Sequence, residues 1–89
     1  MIKKSVHIVN KLGLHARPSA MLVSTAAKFQ AEVYFTKDGL RVNGKSIMGV
    51  MMLAAGKGAR VVLETDGADE VEALEALVGL IEDYFGEGG

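Results

Sequence analysis

The chain has no cysteine, which excludes a disulfide scaffold and any thiolate metal site and suits a reducing compartment. It has no excess of either charge: ten lysines and arginines against eleven aspartates and glutamates leave a formal net charge of -1. A nucleic-acid binder held by bulk electrostatics is therefore not expected. No uninterrupted apolar run is long enough for a membrane span, and the apolar-rich start is broken early by His7 and Asn10, so no signal peptide fits. A cytoplasmic location without membrane insertion is the expectation. Repeats and low-complexity segments are absent apart from a short Gly-rich tail over residues 86–89, expected to be flexible. What is present is 89 residues at 49% hydrophobic, enough for one domain (residues 1–89) with a real core and a modest stability margin.

Residues 2–9 mix β-branched and polar side chains as a strand does, and Leu12-Gly13-Leu14 reads as the loop that ends it. Pro18, the only proline, suits the first turn of a helix, where no backbone N–H is required. That helix is expected from Ala16 to about Lys28, with Leu22, Ala26 and Phe29 on one face and Ala16, Ala20, Val23 and Ala27 as a second, small-residue stripe. Residues 32–36 and 40–42 form a hairpin around Lys37-Asp38-Gly39. Ser46 is a good N-cap for a short helix over residues 47–53. Residues 60–65 form a fourth strand. Asp69, Glu70 and Glu72 suit the positive start of a last helix, whose apolar face reads as Val71, Leu74, Val78, Ile81 and Phe85, with Gly86 as its stop. The order β-α-β-β-α-β-α predicts an α+β fold. Its four-stranded, mainly antiparallel sheet is covered on one face by three helices, as an open-faced β-sandwich.

His15-Ala16-Arg17-Pro18 is the sharpest constellation. A histidine just before a helix sits where backbone N–H groups point outward unpaired, which makes an anion site. The positive helix end and Arg17 both disfavour imidazolium, so they favour a neutral, nucleophilic ring. After attack on a phosphoryl donor, the same amides and the Arg17 guanidinium can meet the phosphoryl oxygens with charge-assisted hydrogen bonds. Gly13 permits the turn that presents the ring, and Ala16 and Pro18 build the first helical turn. Histidine suits a carrier because its phosphoramidate keeps a high transfer potential, whereas a serine phosphate ester does not. The bland alternative is an exposed histidine that merely caps a helix.

Residues 39–46 match the P-loop pattern letter for letter and even lie between a strand and a helix. A P-loop wraps phosphates with a compact run of amides, but Leu40-Arg41-Val42 alternates as a strand. The chain is also too short for a nucleotide-binding parallel sheet, so the match is expected to be accidental. Ser46 reads as an N-cap that also suits regulatory phosphorylation, since a helix N-terminus accommodates phosphate. Ile47, Met48, Met51 and Met52 give a short helix more apolar surface than one buried face needs. Core packing should absorb some of it. Met48, with Ile47 or Met51 and with Ala16 and Ala20, is the candidate docking patch, methionine being adaptable to several partners. His7 has no acidic or histidine neighbour in sequence and reads as an ordinary strand residue.

Gly13-Leu14-His15-Ala16-Arg17-Pro18 strongly resembles the phosphohistidine motif of HPr, the histidine-containing phosphocarrier of the bacterial sugar phosphotransferase system. Residues 45–51 resemble that family's regulatory serine motif, and length and element order agree across nearly the whole chain. The resemblance implies phosphorylation of His15 by enzyme I with phosphoenolpyruvate as the source. Transfer to IIA domains of sugar permeases would follow, with Ser46 open to a serine kinase/phosphorylase. It implies a carrier that is itself enzyme I's substrate rather than an enzyme, monomeric, with no cofactor and no metal. Ser19 stands where many members have alanine and Met52 where others have a small hydroxyl residue. Ser24 and Ala27 replace basic residues of some members, changes that bear on partner affinity and salt dependence. Three alternatives remain: an HPr-like paralogue in a regulatory phosphotransfer chain, a small-molecule regulatory α+β domain, and a phosphotransfer enzyme turning over at His15. The second leaves residues 15–18 without a task. The third lacks a general acid or carboxylate partner.

Overall fold

The computed structural model describes residues 1–86, and most of the Gly-rich tail, residues 87–89, lies outside them. The elements are β1 (Ile2–His7), α1 (Ala16–Ala26), β2 (Glu32–Lys37), β3 (Leu40–Asn43), α2 (Ile47–Met52), β4 (Arg60–Asp66) and α3 (Glu70–Glu82), closed by a 3-10 turn at Tyr84–Gly86. The sheet order is β1-β4-β2-β3 and all three pairings are antiparallel. In register, Val6 faces Val61, and Phe35 lies between Leu63 and Val42. Alternation puts Val6, Val33, Phe35, Val42, Val61 and Leu63 on one face, all buried, against Leu22, Ala26, Val50, Leu77 and Ile81 of the helices. The opposite face is polar: Arg41 lies 3.6 Å over the Tyr34 ring and donates to Glu64 Oε2 at 2.7 Å. That hydrogen bond outweighs burial and holds the Glu64 carboxyl below its ordinary range. The open-faced architecture is as the residue pattern predicts.

The element ends differ by a residue or two, for local reasons. α1 stops at Ala26 because Lys28 and Phe29 donate to Thr25 and Ala26 in i→i+3 bonds, the tightening that finishes a helix. β2 and β3 run one residue further, to Lys37 and Asn43, joined by Asp38 and Gly39 at φ +50° and +83°, a two-residue turn that fits strand twist. α3 buries Ala73, Leu77, Val78 and Ile81, so its buried stripe is rotated from the expected one and Val71 is left exposed. Phe85 is buried from the closing turn rather than from the helix, which ends before Gly86.

Two polar contacts bind distant segments. Asp69 accepts from the backbone N–H groups of Gln30 at 2.9 Å and Ala31 at 2.8 Å, fastening the start of α3 to the entry of β2. Its side chain makes no cap of its own helix. Lys45 Nζ donates to Phe29 O at 2.9 Å, at the C-terminal end of α1, where a cation suits the exposed carbonyls. Ala55 O meanwhile accepts Leu14 N–H at 2.8 Å, beside the start of α1. α2 therefore packs antiparallel to α1, its end beside the start of α1.

Candidate functional site

His15 is the N-cap of α1, with extended backbone (φ -80°, ψ -169°), and its side chain makes no capping hydrogen bond. The ring is therefore not spent as a cap, and it sits half-buried where the first-turn amides of Ala16 and Arg17 have no partner within the helix. Pro18 has no N–H to satisfy and is buried, while Ala16, Arg17 and Ala20 are exposed around the ring. The structure thus gathers Gly13, His15, Ala16, Arg17 and Pro18 at one helix entry.

Successive peptide groups leading to His15 are pinned. Gly13 O accepts from Asn10 Nδ2 at 2.8 Å and from His15 N at 3.0 Å, and Leu14 N donates to Ala55 O. Leu14 O accepts the Ser19 hydroxyl at 3.2 Å, and His15 O accepts Ser19 N at 3.0 Å. Asn10 and Ser19 are completely buried. Gly13 takes φ +68°, and a Cβ there would lie 2.4 Å from Ala55 O, so both the turn and the close approach require glycine. Ala54 also has positive φ, +50°, an uncommon conformation for alanine, and it leads directly to the Ala55 carbonyl that receives Leu14. Sequence reasoning singled out neither Asn10 nor Ala55. The run Asn10 to Gly13, an amide three residues before a glycine, is the signal for the first. A backbone carbonyl leaves none for the second.

Ser46 caps α2 with its hydroxyl accepting Gly49 N–H at 3.1 Å. It begins a helix of six residues, about 9 Å long by its rise, whose other end approaches the His15 loop. The P-loop match dissolves: Leu40–Asn43 pairs with β2, Gly44 N donates to Val33 O at 2.7 Å, and Lys45 is engaged at Phe29. Ile47, Met48, Met51 and Met52 are all exposed, at 45%, 72%, 40% and 64%. Core packing therefore claims none of them, contrary to the expectation that it would take some. α2 is anchored instead by Val50, with Leu53 just beyond it. Leu12, 70% exposed in the loop before His15, is a further apolar surface residue that sequence reasoning passed over. Ser24 lines an open groove between α1 and α3 with Arg17, Ala20, Met21, Thr25 and Leu80. Ala27 is exposed, and His7 is an exposed strand residue paired with Arg60. Among the described residues no group of three or more histidine, aspartate or glutamate side chains gathers to hold a metal ion, and no helix is long and apolar enough to cross a membrane.

The chain is similar to known proteins over nearly its whole length. The family model described as "PTS HPr component phosphorylation site" matches residues 2–83. The phosphocarrier protein HPr of Neisseria meningitidis serogroup A is 62% identical over 88 residues, 99% of each chain. HPr-C-His from Thermoanaerobacter tengcongensis superimposes with a TM-score of 0.95 at 50% identity, over 98% of each chain. A structure described as the HPr dimer of that organism gives a TM-score of 0.79 at 50% identity, over 98% of this chain and all of that one. The chain belongs to the HPr family, the phosphocarriers of the phosphotransferase system.

Proposed function

We propose that His15 is the phosphoryl acceptor and donor of this carrier, loaded by phospho-enzyme I and discharged onto IIA domains of sugar permeases. The observation that carries the reading is a histidine ring held at a helix entry by pinned peptides, yet not used to cap the helix. In the transfer a ring nitrogen lone pair forms the new N–P bond as the donor's bond to phosphorus breaks. The product is a phosphoramidate, which keeps the transfer potential that the next step needs. The Ala16 and Arg17 amides and the Arg17 guanidinium meet the phosphoryl oxygens, charge the ring alone could not balance.

Partners dock on Ala20, Ile47, Met48 and Met51, with Met52 and Leu12 extending the apolar surface. A serine kinase/phosphorylase acts at Ser46, and the added charge then sits on the α2 end of that face, away from the His15 ring. The carrier works as a monomer, with its docking face open. Sedimentation tests that state against the dimer described for the Thermoanaerobacter protein.

The deciding experiment mixes the protein with phosphoenolpyruvate and enzyme I and looks for an acid-labile, base-stable phosphoryl group. His15→Ala should accept none and keep its fold, while His7→Ala should label like wild type. Arg17→Lys should slow transfer because it loses the planar fork, and Arg17→Glu should slow it further. Label on His15→Ala would overturn the reading.

A further inference from the structure

One group has no task in the chemistry above: the completely buried amide of Asn10. Glycine at position 13 is forced by the approach of Ala55 O, but glycine also frees the peptide that follows it to rock. That peptide leads directly into Leu14 and His15, so its tilt sets the direction of the His15 Cα–Cβ bond. Ala55 O holds its N–H side, through Leu14 N at 2.8 Å. On its carbonyl side Asn10 Nδ2 donates to Gly13 O at 2.8 Å, closing a turn that Gly13 N–Asn10 O at 3.2 Å completes. We propose that Asn10 is a positioning residue for phosphoryl transfer, fixing the Gly13–Leu14 peptide so that the His15 ring faces the incoming phosphorus.

This rests on His15 being the acceptor. In this role Asn10 acts on the ring through the Gly13–Leu14 peptide, whose carbonyl it holds. Because Gly13 O keeps the His15 N–H at 3.0 Å when the amide is removed, the carbonyl is not orphaned and the fold should survive. What is lost is alignment, and transfer in line is sensitive to displacements well under 1 Å.

The test compares Asn10→Ala, Asn10→Ser and Lys45→Ala in single-turnover transfer from phospho-enzyme I, below the melting transition of each. Asn10→Ala should slow the transfer step about tenfold with enzyme I affinity unchanged, since misalignment acts on chemistry rather than docking. Asn10→Ser, which restores a short side-chain donor of the same turn-forming kind, should recover part of that rate. Lys45→Ala, a lesion at the far end of α1, should lower the melting temperature without slowing transfer. In NMR spectra the His15 ring resonances should shift or broaden in Asn10→Ala while those of His7 stay in place. Wild-type transfer and unmoved His15 resonances in Asn10→Ala, with His15→Ala unlabelled, would overturn the Asn10 proposal alone. Label on His15→Ala would remove the reading beneath it and the proposal together.

Discussion

Gly13→Ala and Gly39→Ala add the same methyl group to two residues with left-handed backbone, φ +68° and +83°. That conformation costs a non-glycine residue roughly 1–2 kcal/mol. At Gly39 this is the entire cost, because an added Cβ meets nothing within 4 Å. At Gly13 it would lie 2.4 Å from Ala55 O and 2.6 Å from Gly56 Cα, both backbone atoms that cannot swing aside. Ordinary contact begins at 3.4 Å, so residues 54–56 would have to retreat by about 1 Å against a close-packed interior. The retreat breaks the 2.8 Å bond from Leu14 N to Ala55 O, a further loss of about 1 kcal/mol. Gly13→Ala should therefore cost about 3 kcal/mol, and at about 4–8 °C per kcal/mol it should melt at least ~5 °C below Gly39→Ala. Circular dichroism on the two variants side by side measures the difference, and labelling from enzyme I at a temperature where both are folded measures its consequence. Gly39→Ala should transfer at the wild-type rate and Gly13→Ala more slowly. Equal melting temperatures and equal transfer rates would refute the argument that the Ala55 carbonyl seats the His15 loop.

The Gln30 N–H, then that of Ala31, hold the Asp69 carboxyl below the usual aspartate range. Its contribution is thus complete above the ordinary value near ~3.9 and is lost as pH falls through the lower folded value. Asp69→Asn should be less stable than wild type at pH 7, with the gap closing in acid titrations below roughly pH 4; a constant gap would refute the clamp. Lys45→Ala should melt a few degrees low through loss of its bond to Phe29 O. The wild-type chain should show no saturable, magnesium-dependent ATP binding by calorimetry. Ser46→Ala should lose about 1 kcal/mol of capping stability yet bind enzyme I normally. Ser46→Asp should fold and bind enzyme I about tenfold more weakly, a penalty of about 1.4 kcal/mol; equal affinities by titration would sink the docking-face account.

Periodicity, a single proline and turn residues at fixed offsets were enough to place every strand and helix. They work because side-chain alternation and caps are local properties of the chain. The place of His15 and Arg17 at a helix entry was legible for the same reason: that entry is written within four residues. The charge reading of Asp69, Glu70 and Glu72 was right about the helix and silent about Asp69's reach to Gln30 and Ala31. The P-loop match failed because β3 pairing and the contact of Lys45 with Phe29 O decide where its residues go, and neither is contained in the eight letters.

The exposure of Ile47, Met48, Met51 and Met52 came from packing, since Val50 alone of that helix is buried and Leu53 follows just beyond it. The sequence by itself determined the fold's elements, their order and the proposed phosphoryl acceptor. Only the tertiary structure decided how the His15 loop is held. Its essential partner is the carbonyl of Ala55, forty residues away, and every residue in the chain carries a carbonyl, so the one that matters is named only once the chain has folded against itself.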